Sequence, residues 1–326
     1  MTTLGHALRC LIALVLLGAC EVEFDPKGTF LDRVVVFGVI SPQRNIHIIR
    51  LSTTYDPPEF NPLEQTSSNQ ISSAVVSISV DNIETVLQDS TYPRNDTSRY
   101  QDSIRAFVYA PGSIQRGKTY TLTATTPAYG TVTATTIPPA IGIVEVEQNS
   151  GTVLTTPDVN RRDAIFYAIP ANNAEGHVVK VFLEYEVPTL NPGIHVKEEV
   201  PATTTNYVDC LTYDAVYPQI RRRQQVAGRE LWILPYVSYQ RTILKILKAH
   251  DGHMVNFKRV IVTLVQADKH LYGYFSLVGG FRDEFSIRVD EPNYTNIDNG
   301  LGFFGSFTAD SLGIILPPTF PKIICP

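Results

Sequence analysis

The chain has 326 residues, roughly twice a common domain size of ~150. Hydrophobic residues make up 44% and charged residues 18%, which rules out wholesale disorder. With 27 Lys and Arg against 32 Asp and Glu the formal charge is −5, so no basic excess is available to neutralise phosphates, and a nucleic-acid partner is not expected.

The leader comes first. Arg9 precedes an apolar run, Leu11 to Leu17. That run is shorter than the ~20 residues a membrane-spanning helix needs, and it fits the apolar region of a secretory signal. Directly after it, Leu17-Gly18-Ala19-Cys20 resembles the lipobox of bacterial lipoproteins. Small residues before the cysteine let a peptidase reach the backbone, and the Cys20 thiol takes a diacylglycerol. Residues 1–19 then read as a lipoprotein signal peptide and 20–30 as an acidic tether carrying Glu21, Glu23 and Asp25. Acidic positions at this place resemble the export signal of Bacteroidota lipoproteins that face outward from the outer membrane. A periplasm-facing lipoprotein is the alternative. The acyl lipid on Cys20 is the only non-protein group expected. Two cysteines remain beyond the anchor, Cys210 and Cys325. Outside the cytoplasm they are a candidate disulfide, with two buried free thiols as the alternative.

From Arg33 onward, strand signals recur at short intervals. Arg33 to Ile40 is a β-branched run, Asn45 to Leu51 follows a Ser-Pro turn, and Ala74 to Val80 alternates. Between Tyr55 and Asn69 a Pro-, Asn- and Ser-rich stretch reads as an excursion loop. Lys118 to Thr125 puts Tyr120, Leu122 and Ala124 on one face and threonines on the other. Thr131 to Thr136 returns with Val132 and Ala134 inward, a hairpin with one wet face. The pattern predicts an immunoglobulin-like or prealbumin-like β-sandwich over residues 31–139, ending at Ile137-Pro138-Pro139. A second β-rich domain is expected over 140–326, with strands at Ile143–Glu147, His177–Val187, Leu231–Leu234 and Val260–Ala267. One amphipathic helix is expected in it, near 269–278. Asp268 is a good N-cap for that helix, Leu271, Tyr274, Phe275 and Val278 form its apolar stripe, and Gly279-Gly280 supplies the stop.

Three stretches in this order resemble a known family, the Bacteroidota outer-membrane lipoproteins that carry the domain of unknown function 4249. The first is Val34 to Ile40 followed by His47 to Ser52; the second is Gly117 to Leu122 with Ile137-Pro138-Pro139. The third is Asn293 to Gly305, with Asn296, Asp298, Asn299 and three glycines, Gly300, Gly302 and Gly305. The likeness spans almost the whole chain after the leader. It implies an outer-membrane lipoprotein, often encoded near TonB-dependent receptors. It supplies no catalytic residues, so only the lipidated Cys20 carries over.

Motifs that would carry chemistry are sparse. Gly112 to Thr119 fits the P-loop pattern, but a P-loop needs a helix after it, and here an alternating strand begins. Nucleotide binding is therefore not expected. His250-Asp251-Gly252-His253 lacks the further ligands of a tetrahedral metal set, so no metal is expected. The run Arg221-Arg222-Arg223 reads as an exposed loop or a protected sheet edge, with an anion site as the sharper alternative. Trp232, Tyr236 and Tyr239 are the candidate platform for a sugar ring, against a core role for the same side chains. The expectation is a non-enzymatic binding or accessory protein, lipid-anchored in the outer membrane and working with a TonB-dependent receptor or an envelope complex. A surface glycan- or peptide-capturing protein is the first alternative and a surface hydrolase the second.

Overall fold

Alternating and β-branched runs set the architecture. The computed structural model describes residues 30–56, 69–71, 73–94, 103–157, 161–224, 228–280 and 294–320. Contacts divide the chain into Met1–Asp32, of which residues 30–32 are described, and one compact unit, Arg33–Pro326. In chain order that unit holds β1 (Val34–Ile40), β2 (His47–Thr53), β3 (Val75–Val80), β4 (Ile83–Val86), β5 (Gln88–Tyr92), β6 (Ile104–Tyr109), β7 (Tyr120–Thr126) and β8 (Gly130–Thr136). There follow β9 (Ile143–Val146), α1 (Ser150–Thr155), β10 (Ala164–Ile169), β11 (Gly176–Glu186), β12 (Val196–Val200), β13 (Thr203–Thr205), β14 (Asp214–Val216) and β15 (Arg221–Arg222). The last elements are β16 (Glu230–Leu234), α2 (Tyr236–Ala249), β17 (Asn256–Ala267), α3 (Lys269–Gly280) and β18 (Leu301–Ile315). The protein is mainly β.

A four-stranded antiparallel sheet, β4-β3-β7-β8, shows why alternation is a reliable signal. In β7, Tyr120, Leu122 and Ala124 are buried, and in β8 so are Val132 and Ala134. The turn between them is closed by Thr126, whose hydroxyl donates to the Gly130 carbonyl and accepts the Tyr129 N–H. The buried face shares one core with β1, β2 and β6, through Val36, Ile49, Leu51 and Phe107.

The larger sheet has nine strands, with order β12-β11-β17-β18-β1-β2-β6-β5 and β15 attached to β11. Its pivot is β18. Residues Leu301–Ser306 pair in parallel with β1, and Phe307–Ile315 pair antiparallel with β17. The glycine-rich opening of β18 makes that parallel contact close. Gly302 has φ +94°, and a Cβ there would sit 2.0 Å from the Val36 carbonyl oxygen. Asn296 locks the same region: its amide donates to the carbonyls of Phe304 (2.8 Å) and Thr135 (3.2 Å), and its oxygen accepts the Phe304 N–H (2.9 Å).

A three-stranded sheet, β16-β10-β9, and helix α2 cover the second core, where Phe166, Leu183, Ile243, Val260, Val262 and Leu264 are buried. The large sheet runs across the boundary expected at Pro139, within the one compact unit Arg33–Pro326. Among the described residues, the first core draws on positions after Pro139 only through Ile297 and Phe304, yet β18 joins both halves.

The expectation of a single helix needs correction. Helix α3 runs Lys269–Gly280 and is capped by Asp268, whose carboxylate accepts the Leu271 N–H at 2.9 Å. Leu271 is buried as expected, whereas Phe275 of the proposed stripe is 51% exposed. A second helix, the 14-residue α2, starts immediately after Pro235. Its buried stripe is Tyr239, Ile243 and Ile246, at helical spacing. A short third helix, α1, lies between β9 and β10. The excursion loop expected between Tyr55 and Asn69 falls mostly on residues 57–68, outside the described residues.

Candidate functional site

The proposed aromatic platform is a set of core and half-buried side chains. Alternation along β16 turns Trp232 and Leu234 inward. Trp232 is 7% exposed; the Arg221 guanidinium covers its ring at 4.2 Å, and His177 meets it edge-on at 5.9 Å. Tyr239 is 2% exposed and donates its hydroxyl to the Leu154 carbonyl at 2.9 Å. Burial pushes that phenol well above its ordinary range. Tyr236 is half-buried at the start of α2, where its N–H reaches the Asp163 carboxylate at 3.0 Å. A ring that stacks on a sugar needs an open face, and the buried faces of Trp232 and Tyr239 are already covered. Cys20 and Cys325 lie outside the described residues; Cys210 is disulfide-bonded.

The other sequence motifs resolve into local structure. Strand β7 follows Gly112–Thr119 where a P-loop requires a helix, and Lys118 pairs with Asp81 at 3.1 Å. His250 contacts the Tyr185 hydroxyl at 3.3 Å, and His253 contacts the Thr189 hydroxyl at 3.0 Å. Among the described residues no group of three or more His, Cys, Asp or Glu is placed to hold a metal ion. Among them, too, no helix is long and apolar enough to cross a membrane.

Two surface features stand out instead. The first is a cavity of about 360 Å³ where the end of β8, the β10–β11 turn, β15 and the start of α3 converge. Its lining includes the amides of Asn172 and Asn173, the carboxylates of Glu175 and Asp268, and the cations Arg222, Arg223 and Lys269 beside His270. Arg222 bonds Glu175 at 2.9 Å, and Arg223 bonds the Asn172 side-chain oxygen at 2.9 Å. Beneath them Asp268 is 3% exposed. Its carboxylate accepts the Thr136 hydroxyl (2.5 Å), the Leu271 N–H (2.9 Å) and the Ser306 N–H (3.2 Å). Burial raises the Asp268 pKa against these bonds and lowers that of His270. His270 in turn contacts the Tyr294 hydroxyl at 2.8 Å, and burial pushes that phenol up to about 12. The arginines were readable in the sequence only as a charged run. Their meeting with Lys269 depends on β15 pairing beside β11, which local pattern does not announce.

Next to the arginines, His177 is fully buried on β11 with its Nε2 2.9 Å from Glu230. Desolvation outweighs the Glu230 carboxylate and lowers the His177 pKa, and Arg221 and Arg223 add to the lowering.

The second feature is the outward face of β16-β10-β9. Register sets Ile233 against Ile165, Leu231 against Tyr167, and Ile169 against Ile143. Leu231 is 51% and Ile233 53% exposed. Arg229 reaches over Tyr167 and pairs with Glu145 at 2.9 Å. A single antiparallel face open to water normally carries polar side chains, so this aliphatic run departs from the rule.

Taken together, these features define a mainly β, multi-sheet protein with a cation-lined seam cavity and an aliphatic outer sheet face. Residues 20–312 match the family model described as domain of unknown function (DUF4249), and the chain belongs to that family. Among curated proteins the chain has no match.

Proposed function

We propose that this chain is a lipid-anchored outer-membrane protein of Bacteroidota type, working as a non-enzymatic accessory to a TonB-dependent receptor or another envelope complex. The observation that carries the reading is the aliphatic face of β16-β10-β9. Apolar patches of more than a few hundred Å² mark interaction surfaces, because leaving them wet forgoes roughly 25 cal/mol per Å², and this face reaches that size only together with its surroundings. Strand spacing and rise give this face an area of roughly 240 Å². A standard interface needs about 800 Å² per partner, so the face would be the apolar centre of a wider contact with a polar rim. Arg229, lying over Tyr167 of the middle strand and paired with Glu145, would supply a polar contact within that face. The leader and Leu17-Gly18-Ala19-Cys20 support the anchor. The same reading takes the strands before Pro139 as an immunoglobulin-like or prealbumin-like sandwich, supported by the core that two sheets share.

Co-purification from detergent-solubilised membranes tests the partner. The wild-type chain is expected to bring a receptor with it, and Leu231→Glu with Ile233→Glu is expected to lose it while the chain stays folded. Recovery of the wild type only as a free lipoprotein would refute the reading. The anchor has its own test: Cys20→Ser should move the protein from the membrane to the soluble fraction. Capture of a small glycan or peptide is the second reading, favoured by the seam cavity rather than by the aromatic residues.

A further inference from the structure

The charges around the seam cavity do not balance. The chain as a whole carries −5, yet three cationic side chains converge here from β15, the residue after it, and the start of α3. Glu175 answers one of them, Arg222. The other acid in the lining, Asp268, is turned inward, with Thr136, Leu271 and Ser306 donating to it. Arg223 rests on the neutral Asn172, through its side-chain oxygen and its backbone carbonyl. Lys269 is exposed, and its ammonium makes no hydrogen bond or ion pair among the described residues. Two positive charges therefore line the cavity with no carboxylate set against them.

We propose that the seam cavity binds a small organic carboxylate, held between Arg223 and Lys269. A guanidinium offers a planar fork that matches the two oxygens of a carboxylate, and an ammonium adds a point charge that tolerates several geometries. Neutral polar groups flank them: the Thr135 hydroxyl and the amides of Asn172 and Asn173. That surround suits a ligand bearing hydroxyls beside its acid group. The volume, about 360 Å³, lies in the ordinary range for small-molecule sites and fits one sugar acid. The cavity lies apart from the aliphatic face, so the inference stands without the partner reading. Failure of one experiment leaves the other outcome unaffected.

Calorimetric titration of the detergent-solubilised full chain decides it, with D-glucuronate as probe and D-glucose as its neutral counterpart. Glucuronate is expected to saturate one site, weakening as salt rises, while glucose gives no heat of binding. Arg223→Ala and Lys269→Ala are each expected to weaken glucuronate about tenfold, with the melting temperature unchanged. If Arg223→Ala also lowers the melting temperature, Lys269→Gln decides alone, because it alters an exposed side chain. Equal binding of glucose, no binding of glucuronate, or wild-type affinity in Lys269→Gln overturns the proposal. Inorganic sulfate is the third arm: sulfate binding in preference to glucuronate overturns the carboxylate assignment.

Discussion

Asp268 caps a helix and, with the same carboxylate, ties β8 and β18 to its first turn. Its removal takes the acceptor from two backbone N–H groups at once, while the Thr136 hydroxyl keeps only its 2.8 Å bond to the Ser306 hydroxyl. Asp268→Ala should cost about 3 kcal/mol, read as a lowered urea midpoint with unchanged slope. The cap was legible from the residue alone; the links to Thr136 and Ser306 were not, because they join positions far apart in the chain. Histidine gives the second prediction at this scale. His47, His177 and His270 all have pKa values lowered by burial in the folded protein. The unfolded chain takes up protons near the ordinary value of ~6.5, before the folded one does. Stability is therefore full above that value and falls as pH drops through it. Denaturant midpoints should decline between pH 7 and pH 5, and His177→Phe should make the decline shallower. Asp268 acts in the opposite sense: its raised pKa lets the folded state bind that proton first. Asp268→Asn should accordingly remove a stabilising contribution that grows as pH falls toward the ordinary carboxylate range.

Among the elements, β7 and β8 were readable because one face is wet and the other dry, so the period of two survives in the sequence. Helix α2 was not. Val237, Thr242, Ile243 and Ile246 are β-branched, and their local preference is for strand. What makes α2 a helix is the floor beneath it, where Tyr239, Ile243 and Ile246 join the second core. Strand β18 was hidden for a different reason. Glycines at its opening allow either tight turns or a close backbone approach, and Gly302 serves the approach, to β1. Gly302→Ala meets both a left-handed φ and the Val36 carbonyl, so it should destabilise by about 3 kcal/mol or more. Leu122→Ala, a deletion inside the first core, should cost ~2–5 kcal/mol. Comparing the two melting curves separates loss of the pairing from loss of packing.

For the molecule as a whole, the shared strand outweighs the Pro-Pro boundary. A fragment spanning residues 33–139 keeps most of the first core but lacks Ile297, Phe304 and the strand that pairs with β1. Expressed alone, it should show poorly dispersed amide resonances and no cooperative melting. A sharp, cooperative melt would instead show that the first half folds without β18. The sequence pattern suggested a boundary through composition and turn residues, which report on local chain direction. It could not report that β1 and β18 lie side by side, because a parallel pairing between the two ends of the chain leaves no local period.

That pairing also sets an order of events during synthesis. The ribosome delivers β1 more than two hundred residues before β18. Until β18 emerges, β1 and β17 each stand as an open edge with unpaired backbone groups. Neither half can reach its finished state ahead of the other, so the nascent chain stays incompletely folded until β18 is made. A chain built this way depends on whatever shields its edges in the meantime, and premature termination anywhere before β18 would leave both sheets unfinished.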